Sequence, residues 1–363
     1  MLNLPGTWVW DFWVADDGRR HHIFFLTAPR SLGGEHRRHR AARIGHAVSE
    51  DLAEWSVLDG PFGAGEPGTF DDTATWTGCV VRGDDGLWRM FYTGARFLSP
   101  APSARHVETV GIAVSRDLLQ WEKRPGPAVT ADARWYETSG ESSCPEEPGW
   151  RDPWVFADPD GHGWHMLVTA TASHGPAGDR GVVGHAVSRD LETWEVGPPL
   201  STPGAGFAHL EVMQVACVGG RWYLLFSCGG GRLAAERAKR FPHPGTWILP
   251  VADPRGPFDV AAAVPLTTEE FYSGRLVRAR DGNWALMTFR NSIDGTPFPG
   301  FVTDPMPFVP DAAPPTGLAS STRRTGVPHR RRPAIQGHRS SRACADSVLA
   351  EASDVGCATG GEQ

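Results

Sequence analysis

Three acidic residues lie within apolar segments that are widely separated along the chain. Asp11 stands in WVWDFW, Asp152 in WRDPWVFAD and Glu211 in HLEVMQVACV. An unpaired charge among apolar side chains is costly, so each acid belongs to a site, ends a strand at a turn, or pairs with a base. Two carboxylates that flank a scissile bond, with a third acid beside them, are the groups that glycoside hydrolysis uses. One must be protonated and another ionised, and like charges in one site help to separate their pKa values.

The elements that must bring these acids together are repeated along the chain. The segments GHAVSEDLAEW from Gly45, GIAVSRDLLQW from Gly111 and GHAVSRDLETW from Gly184 share seven of eleven positions. We expect the Asp of each S-x-D-L-x-x-W segment to cap a turn through its own backbone. We expect the Trp to pack between neighbouring repeats. Such internal repetition predicts several copies of one structural unit.

A second series of repeats pairs a turn with an aromatic-rich strand, and it interleaves with the first. Asp-Gly or Gly-Gly between two apolar runs indicates a hairpin, because a tight turn needs a positive φ. The five turn glycines are Gly18, Gly86, Gly161, Gly220 and Gly282. Five units of four strands predict an all-β fold, a five-bladed β-propeller, with an irregular β-sandwich as the alternative.

The innermost strand of each propeller blade lines the central channel, so chemistry is expected on the strand before each hairpin turn. These five segments are Trp8–Trp13, Thr73–Val81, Trp150–Asp158, His209–Val218 and Phe271–Ala279. Three of them carry the acids near their start, so we predict that the acids converge on one funnel. The basic segment EHRRHRAAR, residues 35–43, is interpreted as a solvated loop between strands, with a segment that reaches over the funnel and binds a charged substrate as the alternative.

Composition argues against several classes of function. The chain has 363 residues with 35 basic and 42 acidic side chains, and a net charge of −7 argues against a nucleic-acid partner. No apolar run is long enough to cross a membrane and no signal peptide is visible, so we expect a cytoplasmic protein. The cysteines and histidines show no metal-binding spacing, and we predict neither a metal nor a cofactor. The sequence gives no indication of the oligomeric state.

The last part of the chain differs in composition from the rest. All aromatic residues precede residue 311, and the segment 311–363 is dominated by Arg, Ser, Ala and Pro. Such a segment buries too little apolar surface to order itself. We therefore predict a propeller domain over residues 1–310 and a disordered tail over 311–363. The outer strand of the fifth blade is expected to be missing or to come from that tail.

Four motifs together resemble a known group of enzymes. WVWDFW, DDTATWTGCVV, WRDP and HLEV are similar to segments of the five-bladed propeller fructosidases of glycoside hydrolase families 32 and 68, the invertases, levanases and levansucrases. The resemblance spans roughly residues 5 to 310, and Arg-Asp-Pro is its most specific short motif. It implies a glycosidase that cleaves or transfers fructosyl units of sucrose or short fructo-oligosaccharides by a retaining mechanism.

The resemblance also implies roles for individual residues. Asp11 lies where these families hold the aspartate nucleophile, Asp152 matches the transition-state stabiliser, and Glu211 matches the general acid/base. Further residues match positions that bind or line the sugar, namely Trp10, Trp76, Thr77, Arg151 and Tyr272. For the two tryptophans, packing between blades is the alternative role.

Some signatures of these families are absent, which leaves other interpretations open. Val212 follows Glu211 where invertases have Cys, Gln214 stands where a levansucrase Glu-Arg signature is expected, and no β-sandwich follows the propeller. An inverting hydrolase of arabinose- or xylose-containing oligosaccharides, similar to family 43, would use the same three acids. A separation of about 5–5.5 Å between acid and nucleophile predicts retention, and about 6.5–9.5 Å predicts inversion. A Glu211 that points into the core would instead favour a propeller that binds sugar without cleaving it.

Overall fold

A computed structural model describes residues 1–59, 62–100, 105–138, 148–293 and 296–310 of the chain. Its main strands form five antiparallel sheets that follow one another in chain order, each a meander. The predicted all-β, five-bladed propeller is therefore confirmed. The predicted disordered tail, 311–363, lies outside the described residues.

The first four blades each have four strands. Blade one consists of β1 (Thr7–Asp16), β2 (His21–Pro29), β3 (Arg43–Ser49) and β4 (Ser56–Val57). Blade two consists of β5 (Ala74–Arg82), β6 (Trp88–Phe97), β7 (His106–Ser115) and β8 (Glu122–Lys123). Blade three consists of β9 (Trp150–Ala157), β10 (Trp164–Thr171), β11 (Gly181–Ser188) and β12 (Trp194–Gly197). Blade four consists of β13 (Glu211–Val218), β14 (Arg221–Ser227), β15 (Thr246–Val251) and β16 (Val264–Pro265).

The fifth blade is a three-stranded sheet among the described residues. Its strands are β17 (Phe271–Arg278), β18 (Trp284–Arg290) and β21 (Met306–Phe308), and a small hairpin precedes the last of them, β19 (Ser292–Ile293) and β20 (Thr296–Pro297). In the described part of the chain, helical structure is confined to connections, as α1 (Arg38–Ala41), α2 (Ala235–Arg240) and single 3₁₀ turns at Arg30–Leu32, Glu35–Arg37, Gly230–Arg232 and Val260–Ala262.

The turns predicted from the two repeats are present. The five hairpin glycines have φ between 77° and 87°, a region that only glycine enters without strain. In the S-x-D-L-x-x-W turns, the aspartates accept backbone N–H bonds from the residues two and three positions on, at 2.7–2.9 Å. Trp121 packs edge-on against Phe24 of blade one, and Trp194 packs edge-on against Phe91 of blade two. Both tryptophans thus lie between neighbouring blades as expected.

Five apolar clusters hold the blades of the described chain together: four of them join two neighbouring blades, and the first joins blades one, two and five. Trp10 and Trp13 of blade one pack with Trp76 and Tyr92 of blade two in the first of them. Large aromatic side chains fill these wedge-shaped spaces because each buries a large apolar area. The packing fixes the angle between blades, and so the distance between groups on different inner strands.

The ring is closed by the start of the chain. Leu2 exchanges two backbone hydrogen bonds of 3.0 Å with Val302, which itself pairs with Phe289 of β18. Val302 precedes β21 along the same edge of β18, so Leu2 occupies the outer position of blade five. The expectation that blade five lacks its outer strand agrees with the three-stranded sheet of the described residues, in which one bridge from Leu2 takes the outer position. The alternative source, the tail 311–363, lies outside the described residues. The pairing joins the segment that precedes blade one to blade five.

Blades one and three carry the same chain of one aspartate and two histidines, whose members are buried or half-buried. In blade one, His22 contacts His46 at 2.9 Å and Asp17 at 3.2 Å. In blade three, His165 contacts His185 at 3.0 Å and Asp158 at 2.8 Å. At the two equivalent positions of blade two stand Arg89 and Ile112, in the same strand register. The chain thus contains its own example of an apolar residue in the place of His46.

We expect this arrangement to make the fold sensitive to acid. Burial, and then the charge of His22, lowers the pKa of His46 from 6.5 to about 3. Between these values the unfolded chain binds a proton that the folded chain does not, so stability falls as the pH drops below 6.5. When the pH is lowered from 7.5 to 4.5, the free energy of unfolding should decrease less in His46→Ile than in the unaltered chain. Urea unfolding at both pH values measures this.

The control is His174→Gln, because His174 is exposed. That variant should lose as much stability on acidification as the unaltered chain does. An identical loss in His46→Ile would show that protonation of this histidine does not contribute to acid unfolding.

Candidate active site

The inner strand of every blade breaks register with its neighbour near its start. The breaks fall around Asp11, Thr77, Asp152, Val212 and Ser273. Four of these residues have a positive φ, 20° at Asp11, 55° at Asp152, 53° at Val212 and 51° at Ser273. A β-bulge re-aims the side chains beside it, and non-glycine residues adopt such φ values mostly where the surrounding structure imposes them. The five bulges therefore bring side chains from all five blades to one site.

Asp11 is held by hydroxyl groups from two other blades. Thr77 on β5 donates to its Oδ2 at 2.8 Å, and Ser273 on β17 donates to its Oδ1. Burial raises the pKa of Asp11, and the charge of Glu211 adds to this effect. The two hydroxyls and the guanidinium of Arg38 act in the opposite direction because they stabilise the carboxylate. Both oxygens are thus fixed in orientation on the funnel wall.

Asp152 lies deeper, with only 3% of its surface exposed. Its Oδ2 is 3.0 Å from the Thr169 hydroxyl and accepts a hydrogen bond from the backbone N–H of Val212 at 3.2 Å. Its own N–H donates to the Thr93 hydroxyl at 2.9 Å. Burial raises the pKa of Asp152 to about 7. The charge of Arg151 acts to lower this pKa, and the charges of the neighbouring carboxylates offset part of that lowering.

Glu211 is paired with two donors. Arg151 donates from Nη2 to its Oε1 at 2.7 Å, and the Tyr272 hydroxyl donates to its Oε2 at 2.6 Å. Burial alone would raise the pKa of Glu211, but the charge of Arg151 and the hydrogen bond from Tyr272 help to lower it to about 2. Its side chain is 28% exposed. Glu211 therefore faces the funnel, together with the other two acids, and not the core.

The order of these pKa values is the reverse of the order that the predicted roles require. A general acid must carry a proton and a stabilising carboxylate must be ionised. Arg151 sets the observed order, because its Nη2 contacts Glu211 while its Nε lies 3.7 Å from Asp152. Protonation of Glu211 therefore requires that its pairing with Arg151 be weakened when a substrate binds.

Sequence reasoning missed two residues that complete this arrangement. Ser273 was not distinguished from other strand serines, although it contacts Asp11. Glu108, on β7, accepts hydrogen bonds from Arg151 at 3.1 Å through both of its oxygens. The available signal for Glu108 was a charge inside the apolar strand segment HVETVGIAVS.

The two tryptophans predicted to bind sugar lie beside the site, but they offer it little surface. Trp10 is 2% exposed and Trp76 is 8% exposed. Trp76 donates from its indole nitrogen to the carbonyl of His39 at 2.7 Å. Both rings belong to the apolar cluster between blades one and two, so packing between blades accounts for them. A direct contact with sugar stays a prediction.

The basic segment 35–43 is not a solvated loop throughout. It forms a 3₁₀ turn and α1, and the Arg38 guanidinium lies 3.7 Å from the centre of the Phe298 ring and 5.3 Å from that of Trp10. Arg38 interacts electrostatically with Asp11, and its Nε is buried. The expectation of full solvation fails because two aromatic faces bind the guanidinium. This segment therefore forms part of the funnel wall.

Among the described residues, no group of three or more His, Cys, Asp or Glu side chains is arranged to hold a metal ion. The described helices include none that is long and apolar enough to span a membrane.

Comparison with solved structures finds the same fold in several proteins. Inulosucrase from Halalkalicoccus jeotgali bound to kestose is 24% identical, with a TM-score of 0.65 over 82% of this chain and 80% of that one. The beta-fructofuranosidase catalytic domain of Microbacterium saccharophilum K-1 is 17% identical, with a TM-score of 0.62 over 83% and 76%. Bacillus subtilis levansucrase is 16% identical, with a TM-score of 0.60 over 84% and 83%. No curated protein sequence matches the chain.

The family of the chain is shown by a match along its sequence. The profile of the glycosyl hydrolases family 32 N-terminal domain matches residues 14–219, which is more than half of the chain. Asp152 and Glu211 lie inside the matched segment, and Asp11 lies just before it. With its fold and its funnel of three acids, this chain belongs to the glycosyl hydrolases of family 32.

Proposed function

We propose that this glycosidase hydrolyses or transfers fructosyl units of sucrose or short fructo-oligosaccharides, with retention at the anomeric carbon. The observation that carries the proposal is the meeting of Asp11, Asp152 and Glu211 at the bulges of three inner strands. The solved proteins of the same fold bear the names inulosucrase, beta-fructofuranosidase and levansucrase, which supports a fructosyl substrate.

The proposed reaction has two steps. Asp11 attacks the anomeric carbon while Glu211 gives its proton to the leaving oxygen, so one carbon–oxygen bond forms as the other breaks. Water, or a hydroxyl of another sugar, then attacks the same carbon. Glu211 accepts the proton of this nucleophile, and the Asp11 carboxylate leaves. Thr77 and Ser273 favour the reactive ionised form of Asp11, because each donates a hydrogen bond to one of its oxygens.

Asp152 and Arg151 are proposed to bind the hydroxyls of the fructosyl ring. Arg151 contacts Glu211 through Nη2, and its Nε lies 3.7 Å from Asp152. A hydroxyl that takes up a donor of Arg151 weakens its pairing with Glu211, and the pKa of Glu211 then rises toward the value a general acid needs. A hydroxyl that donates to Asp152 favours its ionised form in the same way. Substrate binding would thus reverse the order of the two pKa values.

The two alternative interpretations are less well supported. A propeller that only binds sugar would not need Glu211 to face the funnel beside Asp11, yet its side chain is 28% exposed there and its charge acts on Asp11. An inverting hydrolase of arabinose or xylose oligosaccharides fits less well with membership of family 32.

The test is a product assay on the purified full chain with sucrose, short fructo-oligosaccharides and arabino-oligosaccharides. We expect free fructose, and an excess of glucose over fructose from sucrose if transfer competes with hydrolysis. Proton NMR of the first product formed should show the anomeric configuration of the substrate. Release of arabinose or xylose instead of fructose, or an inverted first product, would contradict the proposal.

A further inference from the structure

Glu108 lies outside the funnel but is joined to it through Arg151. Its side chain is 3% exposed. Both oxygens accept hydrogen bonds from Arg151 at 3.1 Å, and Oε2 also accepts the backbone N–H of Trp150 at 2.8 Å. Oε1 contacts His106 Nε2 at 3.0 Å. Each oxygen of Glu108 is thus engaged twice, and the carboxylate has no free acceptor with which to contact a substrate.

Arg151 is shared among three carboxylates that come from three blades. Its Nη1 contacts Glu108 on blade two, its Nη2 contacts Glu211 on blade four, and its Nε lies 3.7 Å from Asp152 on blade three. Both oxygens of buried Glu108 accept from the same nitrogen, Nη1, at 3.1 Å, whereas Glu211 accepts from Nη2 through one oxygen at 2.7 Å. The position of Glu108 therefore decides how much of the positive charge of Arg151 acts on Glu211.

The charge of Glu108 is permanent over the working range of the site. Burial alone would raise its pKa, but Arg151 and His106 outweigh burial and lower it to about 2. Other titratable groups that interact with Glu211 include Arg151 and Asp152 from β9, Asp11 from β1, His39 from α1, His209 before β13, Cys228 after β14 and Tyr272 from β17. Glu108 on blade two acts on Glu211 through its hydrogen bonds to Arg151.

We propose that Glu108 is a positioning residue of this glycosidase. It fixes Arg151 and offsets its charge, so that Glu211 can hold the proton that the leaving oxygen receives. The inference rests on the proposed function, in which Glu211 is the general acid/base. Without a negative charge at residue 108, the full charge of Arg151 would favour ionised Glu211, and the fraction of Glu211 that is protonated in the enzyme–substrate complex would fall.

The test is the pH profile of kcat on sucrose for Glu108→Gln. The amide keeps the shape of the side chain and an acceptor for the N–H of Trp150. We expect the alkaline limb, which reports the acid in the substrate complex, to move down by about one pH unit. On that limb kcat should fall about tenfold while KM changes little.

The matched control is Glu137→Gln, because Glu137 is also a buried glutamate paired with an arginine, Arg180, at 2.7 Å. That variant should lose stability without moving the alkaline limb. If both variants move the limb equally, or if folded, active Glu108→Gln keeps the original limb, the inference is overturned.

A second measurement does not depend on turnover. The carboxyl of Asp152, identified by its absence in Asp152→Asn, can be titrated by ¹³C NMR. Its pKa should be lower in Glu108→Gln than in the unaltered chain, because Arg151 is less neutralised. An unchanged Asp152 titration overturns the inference. If the unaltered chain is inactive on every sugar, the proposed function fails, and this titration still tests the coupling.

If Glu108→Gln does not fold, Glu108→Asp provides the same test. The shorter side chain moves the carboxylate away from Arg151. The alkaline limb of the kcat profile and the pKa of Asp152 should therefore both shift down, by less than in Glu108→Gln. No movement in either would overturn the inference.

Discussion

Asp11→Asn is expected to abolish turnover of fructosyl substrates while the protein stays folded. The amide has the shape of the carboxylate: its oxygen accepts the hydrogen bond of one of the two hydroxyls, Thr77 or Ser273, and its NH2 group donates to the oxygen of the other. It cannot attack the anomeric carbon. Loss of a nucleophile of this kind lowers kcat by about 10⁴- to 10⁶-fold. Steady-state kinetics on sucrose, with substrate binding followed by calorimetry, measures the effect.

The stability of the same variant gives an independent check. Burial raises the pKa of Asp11, which means that the ionised form is costly in the folded protein. The neutral amide removes that cost, so the thermal midpoint at pH 7 should be equal or higher. Near-normal kcat in Asp11→Asn would remove this residue from the reaction. A collapsed thermal midpoint would show instead that the variant lost its fold.

Glu211→Gln is expected to lower kcat on sucrose by about 10²- to 10⁴-fold, the range typical of a lost general acid. The amide cannot give a proton to the leaving oxygen, and it leaves Arg151 with one carboxylate partner fewer. The alkaline limb of the kcat profile should disappear, because the group that produces it has been removed. The pH profile of the variant between pH 4 and pH 9 measures both changes.

A fructoside with an acidic phenol as its leaving group supplies the control for Glu211→Gln. Such a leaving group departs without protonation, so formation of the covalent intermediate should be far less impaired than with sucrose. Equal losses on both substrates would mean that Glu211 does not act as the acid.

Local signals in the sequence were sufficient to predict most of the fold. The hairpin glycines must have a positive φ, and the S-x-D-L-x-x-W turns are closed by bonds within three residues. The outer position of blade five could not be predicted in this way. Leu2 and Val302 are 300 positions apart, and no pattern in either segment specifies the other.

The sequence was sufficient to predict the three acids of the site, but not the groups that surround them. Asp11, Asp152 and Glu211 are recognisable because a charge interrupts an apolar strand. Ser273 is a residue of common type, and its contact with Asp11 spans 262 positions of the chain. The low pKa of Glu211 was also not predictable, because it depends on the distance from its oxygen to one guanidinium nitrogen. The bulges that set such distances are backbone features that residue types alone do not reveal.

The closure of the ring by Leu2 has a consequence for how the protein is made. Asp11 emerges from the ribosome early, but its partner Ser273 and the closing residue Val302 are among the last parts of the propeller to be synthesised. A nascent chain therefore has no assembled nucleophile until nearly all of the propeller has been translated. A truncated translation product that ends before blade five would carry all three acids. It would still lack the pairing of Leu2 with Val302 and the Ser273 hydroxyl that orients Asp11.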